Sequence, residues 1–305
     1  MLKKNISNDK INANINTGDK NMEVLKIFIS FLPVIIVGLF YLLVNKKKVS
    51  LNNVLNIFLV SFFLIFLSTI IRSVTTFVGA VSFLGMKQII PNLSLEYGFG
   101  LFIKAFVSAG LCEEVAKWVG IKILKPKNKR EIVVFSIFVA AFLSSLENNS
   151  FIQKFDLATG IYRVLLEMHI LFQIIMSFFM VKAFDKKKEG KKSLSFLLQL
   201  IAILIPSIIH GIYDAIFWNI QTQEINILIP FVVGILIYGI TFLILYKYRD
   251  NDEPKEDETK KASLFKIIIS IVIFIFWAYT FSGFTNSKVN IEPNNEISYI
   301  ENRIE

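Results

Sequence analysis

Residues 193–219 read SLSFLLQLIAILIPSIIHGIYDAIFWN, 27 positions with no Lys or Arg and a single carboxylate, Asp214. A helix of about 20 apolar residues crosses the roughly 30 Å hydrocarbon core of a bilayer, and unpaired backbone is too costly in lipid for any open alternative. This stretch is therefore a membrane span. It nevertheless holds His210 and Asp214, four residues apart on one helical face.

The same reading extends in both directions. Long apolar runs separated by short charged ones predict spans at roughly 25–44, 54–71, 98–124, 131–152, 163–184, 193–219, 225–246 and 264–282. The expected fold class is all-α, a polytopic transmembrane bundle of about 8 spans. Residues 72–97, with Gly79, Gly85 and Pro91, fit a re-entrant or interfacial piece. The expected organisation is a polar tail over 1–24, a transmembrane bundle over 25–249, a charged linker over 250–263, a further helix over 264–282 and a polar tail over 283–305. The first tail carries Asp9, Asp19 and Glu23 and does not resemble a cleavable signal peptide.

Composition agrees. Of 305 residues 54% are hydrophobic, mean hydropathy is +0.59 and 30 are Phe, which argues against two soluble domains of that length. The net charge of +9 does not point to nucleic acid, because the basic residues gather at the ends of apolar runs. The bilayer itself is the expected partner. The single cysteine, Cys112, excludes an intrachain disulfide and reads as a small packing residue.

Counting Lys and Arg orients the bundle. Connections 1–2, 3–4, 5–6 and 7–8 carry 3, 4, 5 and 5, against 2, 1 and 0 in the connections between them. The richer set is expected in the cytoplasm, with both termini outside. The N-terminal tail has four Lys, but it is short and holds three acids, so the loops decide.

Ionisable side chains inside spans cost about 2.5–3.5 kcal/mol each on insertion scales and usually face a polar interior. Here they are arranged. The third span carries AGLCEEVAKW over 109–118, with Glu113 and Lys117 one turn apart and Glu114 turned about 100° away. Two adjacent carboxylates in low dielectric do not both ionise freely, which suits one to acid–base work. The fourth span carries Glu147 with Asn148 and Asn149 behind it, the fifth carries RVLLEMH over 163–169, and the sixth carries His210 and Asp214. Spacing of four suits a carboxylate that orients an imidazole. At 1.5 Å per residue Glu113 lies about 3 Å to the cytoplasmic side of its span's midpoint, and Glu147, His169 and His210 about 6–8 Å to the outer side of theirs. Similar depth on four successive spans is what a shared site requires.

Glu113-Glu114-x-x-Lys117 on one span, an apolar segment ending Glu147-Asn148 on the next, His169 on the third and His210-x-x-x-Asp214 on the fourth resemble the PrsW family of membrane proteases, distant relatives of the CAAX-protease and bacteriocin-processing enzymes. The resemblance covers about residues 96–220. It departs from the family at Leu143, which stands where a Phe usually precedes the second-motif Glu by four, with Phe142 one residue off.

The resemblance implies hydrolysis of a peptide bond in or beside the membrane by Glu- and His-assisted activation of water. The implied substrate is a membrane-anchored protein, of which a single-span anti-sigma factor cut on its outer side is the associated example. The chemistry of these residues suggests roles: Glu113 or Glu114 as general base, with Lys117 holding the neighbouring carboxylate charged. His210, oriented by Asp214, and His169 would polarise the carbonyl or bind a metal, and Glu147 would donate a proton to the leaving amine with Asn148 in support. The cofactor stays open between zinc and none, since two His and several carboxylates can ligate zinc but no HExxH is present. Two other readings compete. One is a transporter or channel relaying protons or a cation through the same cluster, although no internal repeat is evident. The other is a catalytically idle immunity or scaffolding relative.

Overall fold

The computed structural model describes residues 22–45, 51–89, 98–154, 157–220, 228–249 and 265–273. All the regular structure among them is helical. In chain order the helices are α1 (Met22–Ser30), α2 (Leu32–Val44), α3 (Leu51–Ile89), α4 (Gly98–Ala105), α5 (Leu111–Ile123), α6 (Lys129–Lys154), α7 (Leu157–Leu165), α8 (Met168–Lys188), α9 (Lys192–Ile220), α10 (Leu228–Lys247) and α11 (265–273). The expected features at 1–21, 46–50, 90–97, 250–264 and 274–305, the charged linker and both polar tails among them, lie outside the described residues.

Four helical stretches are long and apolar enough to cross a membrane: Asn52–Thr75, Lys129–Gln153, Gly160–Lys188 and Lys192–Ile216. A fifth is added if α1 and α2, bent by 50° where Pro33 enters the first turn of α2, form one span. The expected third span is a continuous helical run, α4, a π-helical turn at Phe106–Gly110, then α5. It carries Lys104, Glu113, Glu114, Lys117 and Lys122, too much charge for a lipid-facing span. The apolar part of α10, Phe231–Lys247, is shorter than a full crossing. The interfacial piece expected from residue 72 is corrected as far as Ile89, because α3 runs on without a break over 39 residues, about 58 Å.

α6 is the inner helix. Of its apolar window 83% is buried, against 17% for α3. Lipid tails are as apolar as any side chain, so helices associate in membranes through close van der Waals packing, which favours small residues. α6 supplies Ser136, Ala140, Ala141, Ser144 and Ser145, all buried, and packs against α2, α3, α5, α7 and α8. Large apolar residues such as Phe66, Ile70, Phe196 and Leu197 point outward.

Two local devices set the register around the inner helix. α8 ends in a Schellman motif: Gly190 lies at φ +78°, its N–H bonds the Lys187 carbonyl at 3.1 Å, and the Lys191 N–H bonds the Lys186 carbonyl at 2.9 Å. This tight turn folds α9 back along α8. His169 is 19 residues from Lys188 and His210 is 18 from Lys192, so the hairpin brings them to one height, about 27–28 Å along the helices from their lysine-rich ends. The second device is the pair Gly110 and Gly211. A Cβ on Gly110 would lie 2.5 Å from the Ser207 carbonyl oxygen, and one on Gly211 would lie 2.8 Å from Phe106 Cα. The π turn and α9 thus cross backbone against backbone, one residue after His210.

Candidate active site

The π turn ends at Gly110, three residues before the acidic pair begins. A π turn holds one extra residue and shifts the face that the next helical segment presents, and such turns are frequent at functional sites. Here both Glu113 and Glu114 end up buried, 5% and 0% exposed, on the side facing α8 and α9.

Glu114 is the more tightly held. Oε1 accepts from Lys117 Nζ at 2.7 Å and lies 3.1 Å from His210 Nδ1, while Oε2 accepts from Gln173 Nε2 at 2.8 Å. Glu113 differs. Oε1 accepts from the Arg72 guanidinium at 2.8 Å, but Oε2 is buried without a hydrogen-bond partner. That free oxygen lies 3.7 Å from His210 Nε2, 3.9 Å from His169 Nδ1 and 4.0 Å from Lys117 Nζ.

Each imidazole has a carboxylate behind it. His169 Nε2 is 3.1 Å from Glu147 Oε2, and its Nδ1 is 3.0 Å from Lys117 Nζ. An ammonium can only donate, so Nδ1 carries the lone pair and Nε2–H donates to Glu147. An ionised carboxylate can only accept, so His210 donates Nδ1–H to Glu114, its nearest carboxylate, and Nε2 faces Glu113 and Asp214. The two rings sit edge to face, centroids 5.1 Å apart, and Phe172 stacks on His210 at 4.8 Å. One donor atom each from Glu113, His169 and His210 lies within 4.8 Å of the others, enough for a shared metal ion.

All six expected site residues meet around this centre, with two changes of partner. Lys117 holds Glu114, three residues away, more closely than Glu113, four away; both spacings share one helical face, and the third-residue partner lies nearer. The carboxylate on the outer nitrogen of His210 is Glu114 from another helix, whereas Asp214 Oδ2 lies 3.5 Å from Nε2, on the inner side. Asn148 does not bond Glu147. Its Nδ2 donates to Ser144 Oγ at 3.3 Å and its Oδ1 accepts from Arg163 Nε at 3.3 Å. Arg163 in turn reaches Glu147 Oε2 at 3.5 Å and lies over the Phe151 ring. Phe142 packs edge to face on Phe58 of α3, away from the carboxylates.

Several site residues escape sequence reasoning. Gln173 had a signal, since it comes four residues after His169 and so shares its face. Arg163 lies in the stretch that carries His169, but only the fold brings it to Asn148 and Glu147. Glu167, 1% exposed, sits in the break between α7 and α8, where one oxygen accepts from Ser144 Oγ at 2.9 Å. The break is packed tightly: Gly234 of α10 presses on the Leu165 carbonyl, and Tyr238 donates to the Val164 carbonyl at 3.3 Å. Arg72 had no signal, because it falls in the expected interfacial piece.

Known proteins resemble this chain in sequence. Over 243 residues the chain is 27% identical to Protease PrsW of Clostridioides difficile (strain 630), covering 75% of this chain and 94% of that one. Protease PrsW of Bacillus subtilis (strain 168) is 27% identical over 173 residues, and that of Halalkalibacterium halodurans 25% over 171, each match covering 52% of this chain and 77% of the relative. No solved structure matches significantly. None of these similarities favours the transporter or the idle scaffold. The profile of the PrsW family intramembrane metalloproteases matches residues 51–245, which include every residue of the buried cluster. The chain therefore belongs to the PrsW family and is a peptidase of the membrane.

Proposed function

We propose that the chain cuts a membrane-anchored protein near the outer face of the bilayer, with Glu113, His169 and His210 holding a zinc ion. The observation that carries this reading is Glu113 Oε2, a buried carboxylate oxygen with no hydrogen-bond partner, facing one lone pair on each of two histidines. Two His and one carboxylate form a donor set of catalytic zinc, and a tetrahedral ion with bonds of about 2.0–2.1 Å sets its ligand atoms about 3.3–3.5 Å apart. The two separations from Glu113 are 3.7 and 3.9 Å and all three donor atoms lie within 4.8 Å of one another, so the histidines would draw together around an ion. Lys117 Nζ lies 3.0 Å from the same His169 nitrogen and would have to release it for the ion to bind, keeping its contact with Glu114. Glu147 and Glu114 then act as the outer carboxylates that fix tautomer and ring orientation.

Held by Glu113, His169 and His210, a zinc ion would supply Lewis acidity for activating water. The chain's own residues do the rest. Glu114 is tied by three donors and serves orientation. Asp214, on the inner side of His210 and not fully enclosed, is the carboxylate left to take the proton of the attacking water. The proton passes to the leaving amine as the peptide C–N bond breaks. Lys117 offsets the charge of the acidic pair throughout.

The reading includes a multi-pass bundle of about eight spans in the cell membrane, lysine-rich connections in the cytoplasm and both termini outside. Glu147 is 18 residues from Lys129, about 27 Å, so it shares the height of the two histidines. That height supports cleavage toward the outer face. The family resemblance suggests a single-span anti-sigma factor as substrate.

The test compares membrane proteomes of cells producing wild type, Glu114→Ala and His210→Ala, with and without a zinc chelator. A single-span protein shortened only by wild type, and only without chelator, is the expected result. Equal shortening by all three proteins would remove these roles, and indifference to chelation would remove the zinc.

A further inference from the structure

We infer that Arg72 is a positioning residue that sets which oxygen of Glu113 faces the two histidines; this rests on the zinc-site reading above. Glu113 has two equivalent oxygens and, on its own helix, a single cation within reach, Lys117 at 4.0 Å. Left to itself the carboxylate would close on that lysine, since a buried anion gains most from a direct charge-assisted hydrogen bond. Arg72 prevents this. It reaches across from α3, donates to Oε1 at 2.8 Å, and leaves Oε2 unpartnered between His169 Nδ1 and His210 Nε2.

A second, separate contact docks α3 on the same segment. Arg72 and Thr75 are three apart, on one face of α3. Thr75 Oγ1 meets the π turn at the Val107 carbonyl, 3.2 Å, and Cys112 Sγ at 2.9 Å. α3 therefore grips the segment that carries Glu113 at two points, one on its backbone and one on its carboxylate. Arg72 lies 21 residues from Leu51, about 31 Å along α3, close to the height of the histidines. Its side chain is 48% exposed while that of Glu113 is 6% exposed, so the guanidinium enters from the rim. A guanidinium suits the task because it stays charged and its planar fork fixes an oxygen in direction as well as distance.

Zinc titration of the purified full chain in detergent, for wild type, Arg72→Ala, Arg72→Lys and Thr75→Val, tests the inference, with cleavage of the substrate found in wild-type membranes as second readout. Loss of an outer-shell partner typically weakens metal binding or activity by about 10–100-fold. Arg72→Ala is expected to lose that much in zinc affinity and in cleavage, with an unchanged melting temperature of the metal-free protein. Arg72→Lys should recover part of the loss, and Thr75→Val, which frees the backbone grip and spares the carboxylate, should bind zinc like wild type. Equal zinc affinity and cleavage for Arg72→Ala and wild type would overturn the assignment. So would equal losses in Arg72→Ala and Thr75→Val accompanied by a lowered melting temperature, since the contact would then be mere docking. A wild type that neither binds zinc nor cleaves overturns the functional reading itself, and the role of Arg72 with it.

Discussion

Two lysine–glutamate pairs in this molecule have the same spacing and nearly the same length. Lys117 and Glu114 are three residues apart with a 2.7 Å contact, and so are Lys186 and Glu189 with 2.8 Å. The first pair is enclosed on all sides; the second lies at the end of α8 with 31% and 43% of its side chains exposed. The difference lies in what each charge would meet without its partner. Glu189 would meet water. Glu114 would meet a helix bundle, where an uncompensated charge is strongly destabilising. Local sequence makes the two pairs look alike, and burial alone assigns one to the chemistry and the other to the surface.

Breaking each pair should show this directly. Lys117→Ala is expected to cost about 3–5 kcal/mol, read as a collapsed melting temperature in detergent together with complete loss of cleavage. Lys186→Ala should leave both unchanged. A tolerated Lys117→Ala would mean that water reaches Glu114, and the enclosed site would be wrong.

The two glycines sharpen the comparison at the level of backbone. Gly110→Ala places a methyl 2.5 Å from a backbone oxygen that cannot swing aside, and overpacking of that kind costs about 1–3 kcal/mol. Because the crossing also sets the distance from Glu114 to His210, cleavage should fall further than stability does. Gly190→Ala meets open space and is strained only by its positive φ, about 1–2 kcal/mol, with activity kept. Thermal unfolding and substrate cleavage measured side by side separate the two.

The smallest effect belongs to Glu189→Gln. Hydrogen bonds from Lys186 and Lys191 hold the Glu189 carboxyl below the usual carboxylate range. A lowered folded-state value lends stability that is present at neutral pH and lost as pH falls through that value. Solvent screens a surface group of this kind, so the melting temperatures of Glu189→Gln and wild type should coincide at neutral and mildly acidic pH. A clear gap at neutral pH would show that the lysine-rich turn is a structural clamp.

Much of the candidate site is legible in the sequence. Glu113, Glu114, Glu147, His169, His210 and Asp214 stand out because charge inside an apolar run is rare and costly. Their common height comes from counting along α8 and α9 away from the Gly190 turn. Partners from other helices could not be read. His210 and Asp214 share a face, so spacing suggested that Asp214 orients the ring, yet the π turn rotates Glu114 into the outer position first. Arg72 lay in a stretch whose glycines and proline suggested a break, and α3 instead continues as helix past it.

The amino-acid sequence by itself determined a helical membrane protein, the family-like order of acidic and imidazole residues, and their positions along each helix. Each of these rests on patterns along one chain: the length of an apolar run, a rise of 1.5 Å per residue, a spacing of three or four. Only the tertiary structure decided which oxygen of Glu113 is left free, which carboxylate stands behind each histidine, and that Arg72 reaches the site at all. Those are contacts between helices, set by how closely Gly110 and Gly211 let two backbones approach, and helical periodicity carries no record of the partner across the interface.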